Sequence, residues 1–196
     1  MADGSSSLDR FAALAAVYCE WIEDFQRHSP EVFLSSIQPV IAQLYAIGLI
    51  LPPLPESDEE HPDEQEMDDA VPPWLAESAG LPDADPDQVP VDAWWSLYAS
   101  LSAFLGPRNS YREVVDPYEP TSEQEVTASL ADDLADIYRD LLRGCRKWAR
   151  GECSAAHWEW RFGLESHWGE HATGALRAIH CLAAWYALPW PSSGAA

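Results

Sequence analysis

The sequence predicts an all-α protein: a bundle of about five to seven helices interrupted by a long acidic, proline-rich loop or linker. Three observations carry this expectation. Apolar residues recur at helical spacing in two long C-terminal stretches. No run of alternating β-branched residues competes for a sheet. Residues 52–90 hold 13 carboxylates and nine prolines, with few large apolar residues apart from Val71, Trp74, Leu75 and Leu81.

Residues 8–25 place Leu14, Tyr18, Trp21, Ile22 and Phe25 at helical spacing. Ser29-Pro30-Glu31 reads as an N-cap followed by a proline at the first helical position. The helix it opens carries Phe33, Leu34, Ile37, Ile41, Leu44 and Tyr45, and Pro39 is expected to kink or split it. Residues 52–90 cannot bury enough apolar surface to offset their ordering entropy, so they are expected as a linker or surface loop with at most a short turn at Trp74-Leu75. Asp92 is placed to cap a short helix over residues 93–105, ended by Gly106-Pro107.

The clearest helix is expected to begin near Ser122, which with Glu125 fits a capping box. Val126, Leu130, Leu134, Ile137, Leu141, Cys145 and Trp148 follow at steps of three or four, and Gly151 ends the pattern. A second long pattern runs from Ser154 through Trp160, Leu164, Trp168, Ala172, Ala175, Ile179, Leu182 and Tyr186 to Pro189. Gly163, Gly169 and Gly174 weaken it, and Gly169 is the expected break. The chain thus divides into N-terminal helices (1–51), the acidic segment (52–90), C-terminal helices of the same bundle (91–189) and a flexible tail (190–196).

Charge restricts the partners. The chain carries 33 acidic against 11 basic residues, a net charge of −22, and residues 29–107 hold −15 of it without one Lys or Arg. Such a chain repels nucleic-acid phosphates and anionic membrane faces, and attracts basic proteins or cations. The apolar run over 47–54 is broken by Gly48, Pro52 and Pro53 and is too short to cross a bilayer. No cationic, apolar leader opens the sequence, so a cytoplasmic location is expected, with Cys19, Cys145, Cys153 and Cys181 as reduced thiols.

Candidate chemistry concentrates in residues 129–148 and 167–180. Asp133, Asp136 and Asp140 fall at i, i+3 and i+7, one flank beside the apolar stripe, with Asp132 pointing toward solvent. His167 and His171 are i, i+4 neighbours on the second helix, and Gly174 on the same edge would let another helix approach. Two imidazoles one turn apart are half of a divalent metal site, and facing helices can supply carboxylates, with His167, His171 and Asp133 the expected ligands. The sequence lacks HExxH and ExxH pairs, so satisfied packing histidines are the competing reading. Arg139, Arg143, Arg146, Lys147 and Arg150 form a basic cluster, with Arg139 and Arg143 opposite the stripe, solvated, paired locally or holding the acidic segment. Trp94, Trp95, Trp158 and Phe162 are candidates for an interaction surface.

The stretches SLADDLADIYRDL, residues 129–141, and HWGEHATGALRAIH, residues 167–180, preceded by Trp160 and Phe162, resemble a bacterial family of about this length, domain of unknown function family 5063. The resemblance implies an all-helical bacterial protein and transfers no catalytic residue. The acidity, the aromatic surplus and the lack of a familiar catalytic constellation together favour a protein-interaction module for another protein, a basic one matching the charge. No cofactor is expected on that reading. The alternative is a metal-dependent hydrolase with its Asp/His site between the two long C-terminal helices, which calls for a divalent ion. Imitation of nucleic acid by the acidic stretch ranks last, because its prolines oppose a rigid charge lattice.

Overall fold

The computed structural model describes residues 6–53, 86–114, 118 and 125–185. Most of the expected acidic linker, its turn at Trp74-Leu75, the cap at Ser122, residues 186–189 and the tail lie outside the described residues. Six α-helices and one β-hairpin make up the described part.

Helix α1 (Ser7–Glu23) opens with a capping box: Ser6 Oγ accepts from the Asp9 N–H at 3.1 Å, and the Asp9 carboxylate accepts from the Ser6 N–H at 2.9 Å. A 3₁₀ turn at Phe25–Arg27 leads to α2 (Pro30–Leu49), capped by Ser29, whose Oγ accepts from the Val32 N–H at 3.3 Å. Pro39 sits inside α2, and the helix is assigned as one element through it. An internal proline costs about 3 kcal/mol. Burial of Phe33, Leu34, Ile37, Ile41 and Leu44 along the same helix, at about 1.5–3 kcal/mol each, outweighs that cost. By length and composition α2 could cross a membrane, and 44% of that apolar window is buried within the bundle.

Helix α3 (Val91–Leu105) begins one turn-fraction earlier than expected, with Pro90 as N-cap; Asp92 only accepts from the adjacent Ala93 N–H. Gly106 ends it at φ 55°, a left-handed conformation that suits glycine. The next segment departs from the sequence reading. Strands β1 (Ser110–Val114) and β2 (Glu125–Ser129) pair antiparallel, Ser110 opposite Ser129 and Val114 opposite Glu125. Glu125 and Val126 are therefore strand, and helix α4 (Leu130–Ala149) starts eight residues after Ser122, capped by Ser129 with Oγ 3.3 Å from the Asp132 N–H. The Ser-x-x-Glu signal is local, whereas the strand is held by ladder bonds to residues 110–114, a partner no helical periodicity can reveal.

The last pattern divides into α5 (Cys153–Ser166) and α6 (Trp168–Trp185), and the break falls at His167 rather than at Gly169. Helix α4 is the central element, packed against α1, α3, α5 and α6. The indoles of the core make their polar atoms useful: Trp160 Nε1 donates to the Leu141 carbonyl at 3.1 Å, and Trp168 Nε1 to the Trp160 carbonyl at 3.0 Å. Tyr18 on α1 donates to the Leu134 carbonyl at 2.9 Å, fixing α1 against α4. Arg150 forks onto the buried Asp87 carboxylate at 2.7 and 2.6 Å, and Arg146 donates to the Asp87 carbonyl at 2.8 Å. The basic cluster thus holds the C-terminal end of the acidic segment against the body.

Candidate metal centre

Asn109 fixes the start of the site. Its buried side chain accepts from the Ala131 N–H at 2.7 Å, and its carbonyl accepts from the Leu130 N–H at 2.8 Å. These bonds satisfy first-turn donors of α4 and tie the root of the hairpin to it. The first turn then presents Asp132 and Asp133, with Asp136 and Asp140 one and two turns on.

Opposite them stands the corner between α5 and α6. His167 occupies the corner and His171 lies in the first turn of α6, their ring centroids 4.8 Å apart. Each imidazole meets a carboxylate through Nδ1: His167 with Asp140 Oδ2 at 2.8 Å, His171 with Asp133 Oδ1 at 3.0 Å. That pairing favours Nδ1 as the protonated nitrogen of each neutral ring and leaves the lone pair on Nε2. His171 Nε2 lies 3.5 Å from Asp136 Oδ2, and His167 Nε2 lies 3.4 Å from Arg139 Nη2. One ligand atom from each of Asp136, His167 and His171 falls within 4.8 Å of the others.

The cluster carries more negative charge than its own cation offsets. Asp132, Asp133, Asp136 and Asp140 face one guanidinium, Arg139, whose Nη2 is 2.8 Å from Asp136 Oδ1 and whose Nε is 3.7 Å from Asp140. Even so, Asp136 Oδ1 is buried and accepts no aligned hydrogen bond. Burial pushes the Asp133 carboxyl up, with His171 and Tyr111 opposing. Burial would lower the His171 pKa, yet Asp133, Asp136 and Asp132 outweigh it and the net shift is upward. The His171 shift describes carboxylates that favour positive charge on this ring, whereas the Asp133 shift reports chiefly its burial.

Of the expected cluster, Asp133, Asp136, Asp140, His167 and His171 come together. Asp133 does not stand among the three convergent ligand atoms; it sits behind His171, and Asp136 takes the convergent place. Asp132, read as solvent-facing, is half-buried, and its carboxyl is pushed up by burial and by Asp136. Tyr111 and Arg139 complete the centre and went unassigned to it in the sequence. Tyr111 donates to Asp133 Oδ2 at 2.8 Å and lies 3.2 Å from Glu113 Oε2. Gly174 lets it in: a Cβ there would stand 2.6 Å from the Tyr111 hydroxyl, so the element admitted is the hairpin, not another helix.

The four aromatic candidates divide. Trp94 stacks on Tyr98 at 5.5 Å, and Arg139 lies over its ring at 5.9 Å, so it supports the cluster from α3. Trp95 is 57% exposed and meets Trp94 edge-on. Trp158 and Phe162, 46% and 48% exposed, stack in parallel at 4.7 Å on the outer face of α5.

The family model described as domain of unknown function DUF5063 matches residues 3–184, and the chain belongs to that family. A crystal structure of protein BF1032 from Bacteroides fragilis is similar in fold, with a TM-score of 0.63 at 18% identity, covering 88% of this chain and 89% of that one. No curated protein matches the chain.

Proposed function

We propose that this family member is a divalent-metal-dependent hydrolase whose ion is held by His167, His171 and Asp136, with Asp140 and Asp133 orienting the two imidazoles. The supporting observation is the contact between His171 Nε2 and Asp136 Oδ2 at 3.5 Å. With Nδ1 donating to Asp133, a neutral His171 points a lone pair at a carboxylate oxygen. Two acceptors at that distance repel unless a proton or a cation stands between them. A carboxylate behind each metal-binding imidazole is also the usual arrangement for fixing tautomer and raising ligand basicity.

The donor set fits a borderline ion such as Zn²⁺. Tetrahedral ligand distances of ~2.0–2.1 Å place ligand atoms ~3.3 Å apart. The widest-spaced ligand atoms, within 4.8 Å of one another, would close by up to about 1.5 Å to reach it. Three protein ligands leave a position for water, whose pKa such an ion lowers to about 7. Both imidazoles retain access to solvent, 37% for His167 and 22% for His171.

Protein purified without a chelating tag is expected to bind about one divalent ion per chain by elemental analysis after Zn²⁺ is added and excess removed. The His167→Ala/His171→Ala variant should bind none. Equal metal in both proteins, or none in either, overturns the metal reading.

A second reading, a protein-interaction module, draws on the Trp158–Phe162 stack. An exposed parallel aromatic pair is unusual on a solvated helix face and suits a hot-spot anchor. If it anchors a basic partner, proteins captured from lysate will be lost on Trp158→Ser/Phe162→Ser and will elute with salt. Capture indifferent to both removes this reading.

A further inference from the structure

A side chain of α4 brings its own cation to the ligand atoms of the metal centre. Arg139 follows Asp136 by nearly one turn, and its Nη2 stands against two of the three ligand residues. It lies 2.8 Å from Asp136 Oδ1 and 3.4 Å from His167 Nε2. Its Nε lies 3.7 Å from Asp140 Oδ1, on the carboxylate whose other oxygen meets His167 Nδ1. A guanidinium donates and never accepts. The His167 lone pair that a metal would take is therefore the one turned toward Arg139.

We infer, resting on the metal site proposed above, that Arg139 and the divalent ion are alternative occupants of this cup, so that the arginine sets the threshold for metal entry. The two cations compete for the same atoms. An ion ~2.0–2.1 Å from His167 Nε2 and from an Asp136 oxygen shares both partners with Nη2. Like charges at such a range repel strongly where water is thin. A guanidinium cannot shed its proton to relieve that repulsion, so it must move.

Its surroundings allow the movement. The Arg139 side chain is 31% exposed, which gives it a way out to solvent. Its guanidinium also lies over the Trp94 ring at 5.9 Å, an attraction that does not depend on Asp136. Asp136 Oδ1 is buried without an aligned hydrogen bond although Nη2 is close, so the pair is held by charge rather than by a directed bond. The ion gains what the guanidinium leaves unused. It takes lone pairs from both imidazoles, whereas His171 Nε2 faces Asp136 Oδ2 at 3.5 Å.

The test measures Zn²⁺ affinity of the untagged full chain against a chromophoric chelator, comparing wild type with Arg139→Met, which keeps an apolar stem and removes the charge. Arg139→Met is expected to bind Zn²⁺ about tenfold tighter or more. Adding His167→Ala/His171→Ala should abolish the gain. In EDTA, Arg139→Met should melt below wild type, because Asp132, Asp136 and Asp140 lose their nearby cation. Zn²⁺ should then raise its melting temperature by more than it raises that of wild type. Arg139→Gln repeats the comparison if circular dichroism shows Arg139→Met unfolded. An arginine that only supports Asp136 gives the opposite sign, weaker Zn²⁺ binding in either variant. Zn²⁺ bound by wild type through the two histidines, with affinity unchanged or reduced on loss of Arg139, overturns this inference and leaves the metal site standing. Zn²⁺ bound by neither protein overturns both.

Discussion

Alanine at Trp160 is expected to lower the stability of the chain by about 3–5 kcal/mol, the range for removing a fully buried large aromatic. Trp160 is wholly inaccessible, packs on Phe11 at 5.1 Å and Trp148 at 5.9 Å between ring centroids, and bonds through Nε1 to the Leu141 carbonyl. Truncation would open a cavity among α1, α4 and α5 and orphan that bond. The indole also explains Gly144. A Cβ at that position would lie 2.1 Å from Trp160 Nε1. Alanine for glycine inside a helix ordinarily gains up to ~1 kcal/mol. Here Gly144→Ala should instead cost about 1–3 kcal/mol from overpacking, and should recover its ordinary sign once Trp160 is alanine. Guanidinium titrations followed by circular dichroism on the two single variants and the double variant measure the coupling. A Trp160→Ala cost under about 1 kcal/mol, or simple additivity of the pair, contradicts this account.

How far the sequence carried depends on what each signal encodes. Periodicity located α1, α2 and α4 and put Asp133, Asp136 and Asp140 on one flank, because rotational phase follows from spacing alone. It did not tell Asp133 from Asp136 as the residue converging with the two imidazoles. That choice is made by Tyr111, which engages Asp133 from the hairpin, and the hairpin joins strands whose closest paired residues, Val114 and Glu125, are 11 apart in sequence. Local capping chemistry was legible at Ser29, where cap and helix are neighbours, and misleading at Ser122, where strand pairing governs the residues that follow. Arg139 was placed opposite the apolar stripe by its Cα; its long stem carries the guanidinium around to Asp136 and over Trp94.

Removing the carboxylates of the centre one at a time should grade its metal affinity rather than abolish it uniformly. Asp136 offers the third ligand atom, so Asp136→Ala should cost more than ~100-fold. Asp140 and Asp133 meet His167 and His171 through Nδ1, and loss of such a supporting carboxylate typically costs about 10–100-fold. Asp133→Ala should fall at the larger end of that range, because it also releases the Tyr111 hydroxyl and the hairpin wall with it. Competition of Zn²⁺ against a chromophoric chelator gives the three affinities, with circular dichroism to verify folding. An Asp136→Ala loss smaller than that of Asp133→Ala would return the ligand position to Asp133. Three equal losses would mean that the carboxylates act only through summed charge, since a diffuse field does not distinguish which oxygen faces Nε2 and a coordination site does.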